Sequence, residues 1–340
     1  MTHRVAILGS GAWALAMAGL IGRKPGHWVN IWCPRSNTAQ LLRRERGNPE
    51  LLPGATLPDT VAIETEASAA MAGCSMLLVA VPTAHLAGVL RGHAGAVDRH
   101  VPVVSLVKGI ESGSMLMPTG IIRREWGERP LAVLSGPSHA EEVAKGLPAA
   151  VVVASHDASL AIEAQERIMT DRFRVYTNSD MAGVEWAGAL KNVIGIAAGI
   201  CDGLELGDNA KAAMLTRGLA EIARSGEALG AEPGTFSGLA GIGDLLTTCF
   251  SPHGRNRRLG RAIGLGRSLE EALGSGGQVV EGVNTVKALM PLARARGWDM
   301  PICRGVHEVL FNGLSPRLAV EGLLLRAPRP EFQPREGKGP

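Results

Sequence analysis

Aromatic residues are scarce: one tyrosine, five phenylalanines and six tryptophans in 340 residues, 4% of the chain. So few rings exclude an extended base-stacking surface for single-stranded nucleic acid. Charge of one sign is not in excess either. The 35 basic and 32 acidic side chains leave a formal charge of +3, too small for a nucleic-acid partner unless a basic patch is local. The five cysteines (Cys33, Cys74, Cys201, Cys249, Cys303) are odd in number and lack a CxxC pair. They read as small buried hydrophobes of a reducing compartment. The nine histidines show neither HExxH nor another ligand spacing, so no metal site is expected. No run of 18 or more uncharged apolar residues occurs, which argues against membrane insertion. "MTHRVAIL" enters an apolar strand at once, leaving no room for a signal peptide. A cytoplasmic protein is expected.

What is present is 46% hydrophobic and 20% charged, the composition of an ordinary globular protein whose length suggests two domains. "RVAIL" (4–8), "WVNIW" (28–32), "MLLVAV" (76–81), "PVVSLV" (102–107), "LAVLSG" (131–136) and "AAVVVAS" (149–155) are near-continuous apolar runs of strand length. Such runs suit strands covered on both faces, hence a parallel α/β sheet. From about residue 183 the pattern turns helical, over roughly 183–200, 208–229, 243–250, 256–264, 268–273, 282–296 and 304–314, with no further strand. Gly230 reads as the cap of the second of these helices. The fold expected is α/β: a Rossmann-type dinucleotide-binding domain (1–180) followed by an all-helical C-terminal domain (181–326). The Pro-, Gly- and charge-rich remainder, 327–340, reads as a disordered tail.

Gly9-Ser10-Gly11-Ala12-Trp13-Ala14 follows the first strand and opens a helix, a GxGxxA motif in the context a dinucleotide site needs. Gly9 permits the tight turn, Gly11 lets backbone approach a pyrophosphate, and Ala14 keeps helix close to sheet. A glycine-rich turn without ligand is the plainer alternative. An NAD site carries an acidic residue about 20 positions on, at the end of the second strand. Here that strand ends "IWCPRSN", and the first acidic residue in the chain is Glu45. Nothing there repels a 2′-phosphate, and Arg35 can pair with one or serve as an ordinary surface arginine. NADP is favoured over NAD.

In "EWAGALKNVIGIAAGI" (185–200), Lys191 shares a helical face with Ala187, Gly195 and Ala198. Small neighbours leave room beside the ammonium for a ligand, while snorkelling to solvent is the bland alternative. Asp244, in "GLAGIGDLLTT", is an N-cap or a functional carboxylate. In "SPHGRNRRLG", Arg255 and Asn256 enter a helix, where a guanidinium fork and free N–H groups can take a phosphate, or they form a solvated basic turn. Lys108 follows a strand, and Gly136 and Ser138 lie in a turn after another, where ligands of open α/β sheets sit.

GSGAWALAMA, VKGIE, LSGPSHAEEVAKG, EWAGALKNVIGIAAGICDGLELGDNAKAAM, GLAGIGDL, GRNRRLG and VVEGV, in that order over roughly residues 4 to 325, closely resemble the bacterial-type NAD(P)-dependent glycerol-3-phosphate dehydrogenase family. The resemblance implies reversible reduction of dihydroxyacetone phosphate to sn-glycerol 3-phosphate by a cytosolic homodimer that supplies phospholipid synthesis. It implies Lys191 as general acid/base; on chemical grounds Asp244 and Asn192 are the expected partners that orient it. Lys108, Gly136, Ser138, Lys191, Asp244, Arg255 and Asn256 match substrate positions. Ala12, Trp13, Lys108, Ala140, Arg255, Val279 and Glu281 match cofactor positions. The chain departs from the family where Ala14-Leu15 follows Trp13, where Pro34 stands in place of a basic residue, where Gly254 replaces serine and where His139 replaces an aromatic residue. The rivals are another two-domain hydroxyacid dehydrogenase and a non-catalytic NADP(H) sensor. GxGD with GRNRR argues against the first, and the full polar set against the second.

Overall fold

The structure, a computed structural model, describes residues 3–274, 279–328 and 330–331. Eight strands, β1 (His3–Leu8), β2 (His27–Trp32), β3 (Val61–Glu64), β4 (Met76–Val79), β5 (Val103–Ser105), β6 (Leu131–Ser135), β7 (Ala149–Ala154) and β8 (Phe173–Asn178), form one sheet. Its order is β3-β2-β1-β4-β5-β6-β7-β8. The first six strands follow the doubly wound order, which opens a crevice beyond the carboxyl ends of β1 and β4. Between strands lie α1 (Ala12–Gly22), α2 (Ser36–Glu45), α3 (Ala67–Met71), α4 (Thr83–Gly92), α5 (Pro118–Trp126), α6 (Ala140–Ala144) and α7 (Ala158–Ile168). After the sheet come α8 (Met181–Gly203), α9 (Gly207–Glu227), α10 (Pro233–Phe236) and a π turn at Leu239–Gly243. The chain continues through α11 (Asp244–Phe250), α12 (Arg255–Gly264), α13 (Leu269–Leu273), α14 (Glu281–Arg296), α15 (Pro301–Phe311) and α16 (Pro316–Leu324).

The central strands alternate between two apolar cores, as a two-residue period requires. Val5, Ile7, Met76 and Leu78 face one core; Ala6, Leu8, Leu77 and Val79 face the other, which runs on into α8. Every residue of α8 except Ala182 and Asp202 is buried. By length and mean hydropathy α8 could cross a membrane, but here neighbouring helices surround it. Asp180 caps it by accepting from the Gly183 N–H at 2.8 Å, and the same carboxylate holds Glu232 N (2.8 Å) and Thr235 Oγ1 (2.7 Å) at α10. Helices α8 and α12 touch backbone to backbone: a Cβ on Gly199 would lie 2.0 Å from the Arg257 carbonyl, and one on Gly260 would lie 2.0 Å from that of Ile196. This approach fixes Lys191, on α8, against the start of α12.

Several sequence expectations change. The sheet is parallel except between β6 and β7, which run antiparallel. Their short connection carries only the five-residue α6, too little for a packed crossover helix. Strands β3 and β8 were not expected. They form the sheet edges and are half exposed, so Phe173 and Val175 are buried while Arg174 and Tyr176 are exposed. An alternating edge strand lacks the continuous apolar run that marks a central one. Helix α16 also went unread because it buries none of its residues. Helix α9 ends at Glu227 with Ala228 as its cap, and Gly230, with φ +89°, turns the chain three residues after the helix. All five cysteines are buried and unpaired. The proposed tail lies largely outside the described residues; Ala327, Pro328, Pro330 and Glu331 carry no regular element.

Candidate active site

The crevice at the switch point has the features of a dinucleotide cradle. Gly9 sits at φ +125°, and a Cβ there would lie 2.9 Å from the Ala80 carbonyl oxygen at the end of β4. Glycine is therefore required twice over, by conformation and by space. Gly11 is the reverse case, with nothing within 4 Å of its Cβ position. That open space lies at the uncapped N-terminus of α1, which has no acidic residue in its first turn. Ala12 and Trp13, half-buried, present their N–H groups there, where a pyrophosphate is favoured. Ala140 begins α6, which packs on α1. These residues fit the phosphates of a dinucleotide.

Arg35 is exposed at the start of α2, and its guanidinium is paired with no described residue. The end of β2 carries no carboxylate, but Glu64 closes β3 in register with Trp32. An acidic side chain thus lies one strand away, which linear spacing from the glycine motif does not reveal.

At the helical side, Lys191, Asn192, Asp244, Thr248 and Asn256 are all buried. The loop before α11 presses onto α10, because a Cβ on Gly241 would lie 2.0 Å from the Phe236 carbonyl. It delivers Asp244 as the first residue of α11, with no capping hydrogen bond from its side chain. The carboxylate is shared instead by two lysines. Lys191 Nζ donates to Oδ1, and Lys108 Nζ donates to Oδ2 at 2.7 Å. Ser135 Oγ lies 3.5 Å from the same Oδ2. Lys191 also donates to Thr248 Oγ1 at 2.9 Å, and Lys108 to the Gly136 carbonyl at 3.2 Å.

Burial pushes the Lys191 ammonium down, Asp244 opposes this, and Lys108 adds to it, leaving a pKa of about 8. Burial alone would raise the Asp244 carboxyl, but Lys108 and Lys191 overcome it and hold that carboxyl below its ordinary range. A lysine near 8 can give and take a proton at neutral pH.

Gly136, at φ +128°, lies against Val151 and Ala150 of β7, and Ser138 Oγ donates to its carbonyl at 2.8 Å. His139 Nε2 is 3.3 Å from the Thr247 carbonyl, a partner that can only accept, so Nε2 carries the proton. Burial lowers the pKa of this imidazole. The exposed Arg255 opens α12 and donates to the Val279 carbonyl at 3.1 Å. Glu281 accepts from Thr83 N, at the start of α4, at 3.2 Å. Its Oε2 is buried with no partner among the described residues, a polar atom fit for a ligand's hydroxyl.

Two expectations need correction. Asn192 does not orient Lys191. Its amide donates weakly to the Lys108 and Gly188 carbonyls, and its oxygen accepts from Asn256 Nδ2 at 2.9 Å. Nor does the small floor beneath Lys191 leave open room: a Cβ on Gly195 would lie 2.7 Å from Thr248 Cγ2 and 3.3 Å from Asn256 Cβ. Glycine there admits Thr248, which pairs with the lysine, and Asn256, which pairs with Asn192. Thr248 itself was missed. It lies four residues after Asp244, one turn along the same helix face, and that spacing was its only sequence signal.

Residues 4–161 match the profile of the NAD-dependent glycerol-3-phosphate dehydrogenase N-terminus, and residues 180–321 that of its C-terminus. The chain is 44% identical over 336 residues to a Pelotomaculum thermopropionicum protein named glycerol-3-phosphate dehydrogenase [NAD(P)+], covering 98% of this chain and 96% of the relative. A Geobacillus kaustophilus protein of the same name is 45% identical, with 97% and 96% covered. The crystal structure of glycerol-3-phosphate dehydrogenase from Coxiella burnetii, 38% identical, superposes with a TM-score of 0.91 over 96% of this chain and 99% of that one.

Proposed function

Because this chain belongs to the NAD-dependent glycerol-3-phosphate dehydrogenase family, we propose that it interconverts dihydroxyacetone phosphate and sn-glycerol 3-phosphate with Lys191 as the proton-transferring group. The observation that carries this role is the Lys191–Asp244–Lys108 triad, with Lys191 and Asp244 buried and Lys108 partly so, set beside the phosphate-type helix terminus at Arg255 and Asn256.

The nicotinamide, when bound, gives or takes the hydride. Gly9, Gly11, Ala12, Trp13, Ala140, Val279 and Glu281 hold the cofactor in this reading. Reduction leaves negative charge on the substrate oxygen, and the Lys191 ammonium stabilises that charge and supplies the proton. In oxidation the neutral amine takes it back. Asp244 keeps Nζ aimed and Lys108 adds a second positive charge. Ser138 and the Gly136 backbone line the substrate. Arg255, with the N–H groups at the start of α12, takes the phosphate, and Asn256 is braced between Asn192 and Gly282 N, the latter at 3.0 Å.

Residues 1–180 form the cofactor domain and 181–326 the substrate domain in this reading. Arg35, together with the absence of a carboxylate at the end of β2, supports NADP(H) over NAD(H). The resemblance to the bacterial family further supports a cytoplasmic homodimer feeding glycerophospholipid synthesis.

The test follows absorbance at 340 nm with dihydroxyacetone phosphate and NADPH or NADH. Lys191→Ala is expected to lower kcat by about 10²–10⁴-fold with cofactor affinity retained. Equal losses in kcat and cofactor affinity would assign Lys191 to packing. Faster oxidation of NADH than NADPH would reverse the cofactor preference.

A further inference from the structure

Arg257 lies two residues beyond Arg255, so the two side chains leave α12 about 200° apart. Arg255 faces Val279, and Arg257 faces the other way. Its Nε donates to Asp202 Oδ2 at 2.6 Å. Its Nη1 donates to the carbonyls of Phe250 (2.9 Å) and Ser251 (3.2 Å). Those carbonyls end α11, where the last acceptors lack helical partners; that of Ser251 also accepts from Gly254 N at 3.3 Å. Asp202, next to last in α8, also accepts from Lys211 Nζ of α9 at 2.8 Å, and that ammonium lies 4.8 Å from the centre of the Phe250 ring. A single guanidinium thus joins the end of α8, the end of α11 and the first turn of α12. Each of these helices carries part of the site: Lys191 and Asn192 on α8, Asp244 and Thr248 on α11, Arg255 and Asn256 on α12.

We propose that Arg257, held by Asp202, is a positioning residue that sets the phosphate-binding start of α12 against the proton-transfer group on α8. Asn256 pins one side of that turn through Asn192, and Arg257 pins the other. With Arg257 removed, the Phe250 carbonyl loses its side-chain donor, the Ser251 carbonyl keeps only the Gly254 N–H at 3.3 Å, and the side of the turn opposite Asn256 loses its side-chain clamp. The misplaced groups are then Arg255 and Asn256, so binding of the phosphorylated substrate suffers before cofactor binding does. A cavity of about 510 Å³, lined by Cys201, Asp202, Glu205, Lys211, Arg257 and Arg261 among others, opens onto the clamp from solvent. A small guanidinium ion can therefore reach the space vacated by a shortened side chain.

This inference rests on the function proposed above, and its test keeps the two apart. In full-length Arg257→Ala, the KM for dihydroxyacetone phosphate is expected to rise at least tenfold while the KM for NADPH stays within about twofold. Millimolar guanidinium should recover part of the loss. Arg257→Lys should fall between, because a point charge can pair with Asp202 but cannot fork onto two carbonyls. Inorganic phosphate binding, followed by calorimetry, should weaken in parallel without any turnover. A lowered melting temperature with both KM values unchanged would reduce the clamp to a structural role. Parallel rises in both KM values would mean general loosening and also overturn the proposal. If Arg257→Ala fails to fold, Arg257→Lys and Asp202→Asn carry the same comparison. Wild-type protein that binds phosphate but does not reduce dihydroxyacetone phosphate would sink the proposed reaction and leave the clamp to be decided by the phosphate titration.

Discussion

Replacing Asp244 by asparagine tests the electrostatics of the site most directly. The change keeps the shape of the side chain but removes the charge that Lys191 and Lys108 share. In the wild type, burial lowers the Lys191 pKa and Asp244 is the strongest opposing influence, with a net value of about 8. In Asp244→Asn burial and Lys108, the two largest remaining influences, push downward, opposed only by the weaker effect of Cys249. Breaking a buried ion pair by removing one partner costs about 3–5 kcal/mol. Lys191 can escape most of that cost by releasing its proton, and one pKa unit corresponds to about 1.4 kcal/mol. The lower bound therefore predicts a fall of about two units, to roughly 6. The assay is kcat/KM against pH, which reports groups of the free enzyme. Wild-type reduction of dihydroxyacetone phosphate needs the ammonium, so it should decline as pH rises through about 8, while oxidation of glycerol 3-phosphate rises over the same range. In Asp244→Asn both midpoints move to lower pH. At pH 7 the protonated fraction drops about tenfold from this shift alone. A midpoint that stays in place or moves upward would refute the reasoning. Stability carries its own check. The Asp244 carboxyl is held below its ordinary range, so its contribution is present above the unfolded-state pKa and lost as pH falls through the folded one. The melting-temperature advantage of wild type over Asp244→Asn should therefore shrink in acid.

The paired glycines of the first turn should separate folding from binding. Gly11→Ala is expected to keep the wild-type melting temperature, since its Cβ meets nothing within 4 Å, yet to weaken NADPH binding measured by fluorescence titration. Gly9→Ala should lower the melting temperature, because its Cβ meets the Ala80 carbonyl at 2.9 Å with φ at +125°; equal stability of the two variants would contradict this account. Glu221, buried under the start of α15, accepts from Ile302 N at 2.7 Å and Cys303 N at 3.2 Å, and burial raises its pKa to about 7. A raised carboxyl binds its proton more tightly when folded, so stability should fall as pH rises from about 4.5 through 7. Glu221→Gln should flatten that part of a pH series of chemical denaturation curves, and an unchanged slope would assign the dependence elsewhere.

The sequence by itself determined the central strands, the glycine turn and the change to helices near residue 180, because each is a local matter. A strand buried on both faces must be apolar throughout, and a phosphate approaching a helix terminus requires glycine at fixed places. Ordered motifs of the family likewise single out Lys191, Asp244 and Arg255 together. The edge strands β3 and β8 escaped because one face of each meets solvent, and the reversal at β7 escaped because strand direction depends on what packs against the connection. The partners of Lys191 escaped for a deeper reason. Lys108, Asp244 and Lys191 lie 136 and 53 residues apart, so no periodicity links them. Tertiary packing, with the Gly241 loop pressed on α10 and α8 close to Lys108 and Ser135 at Gly188, brings two ammonium groups to one carboxylate. The sequence could supply the charged groups, but their separation in space decides which proton moves, since both burial and Coulomb attraction depend on distance and dielectric.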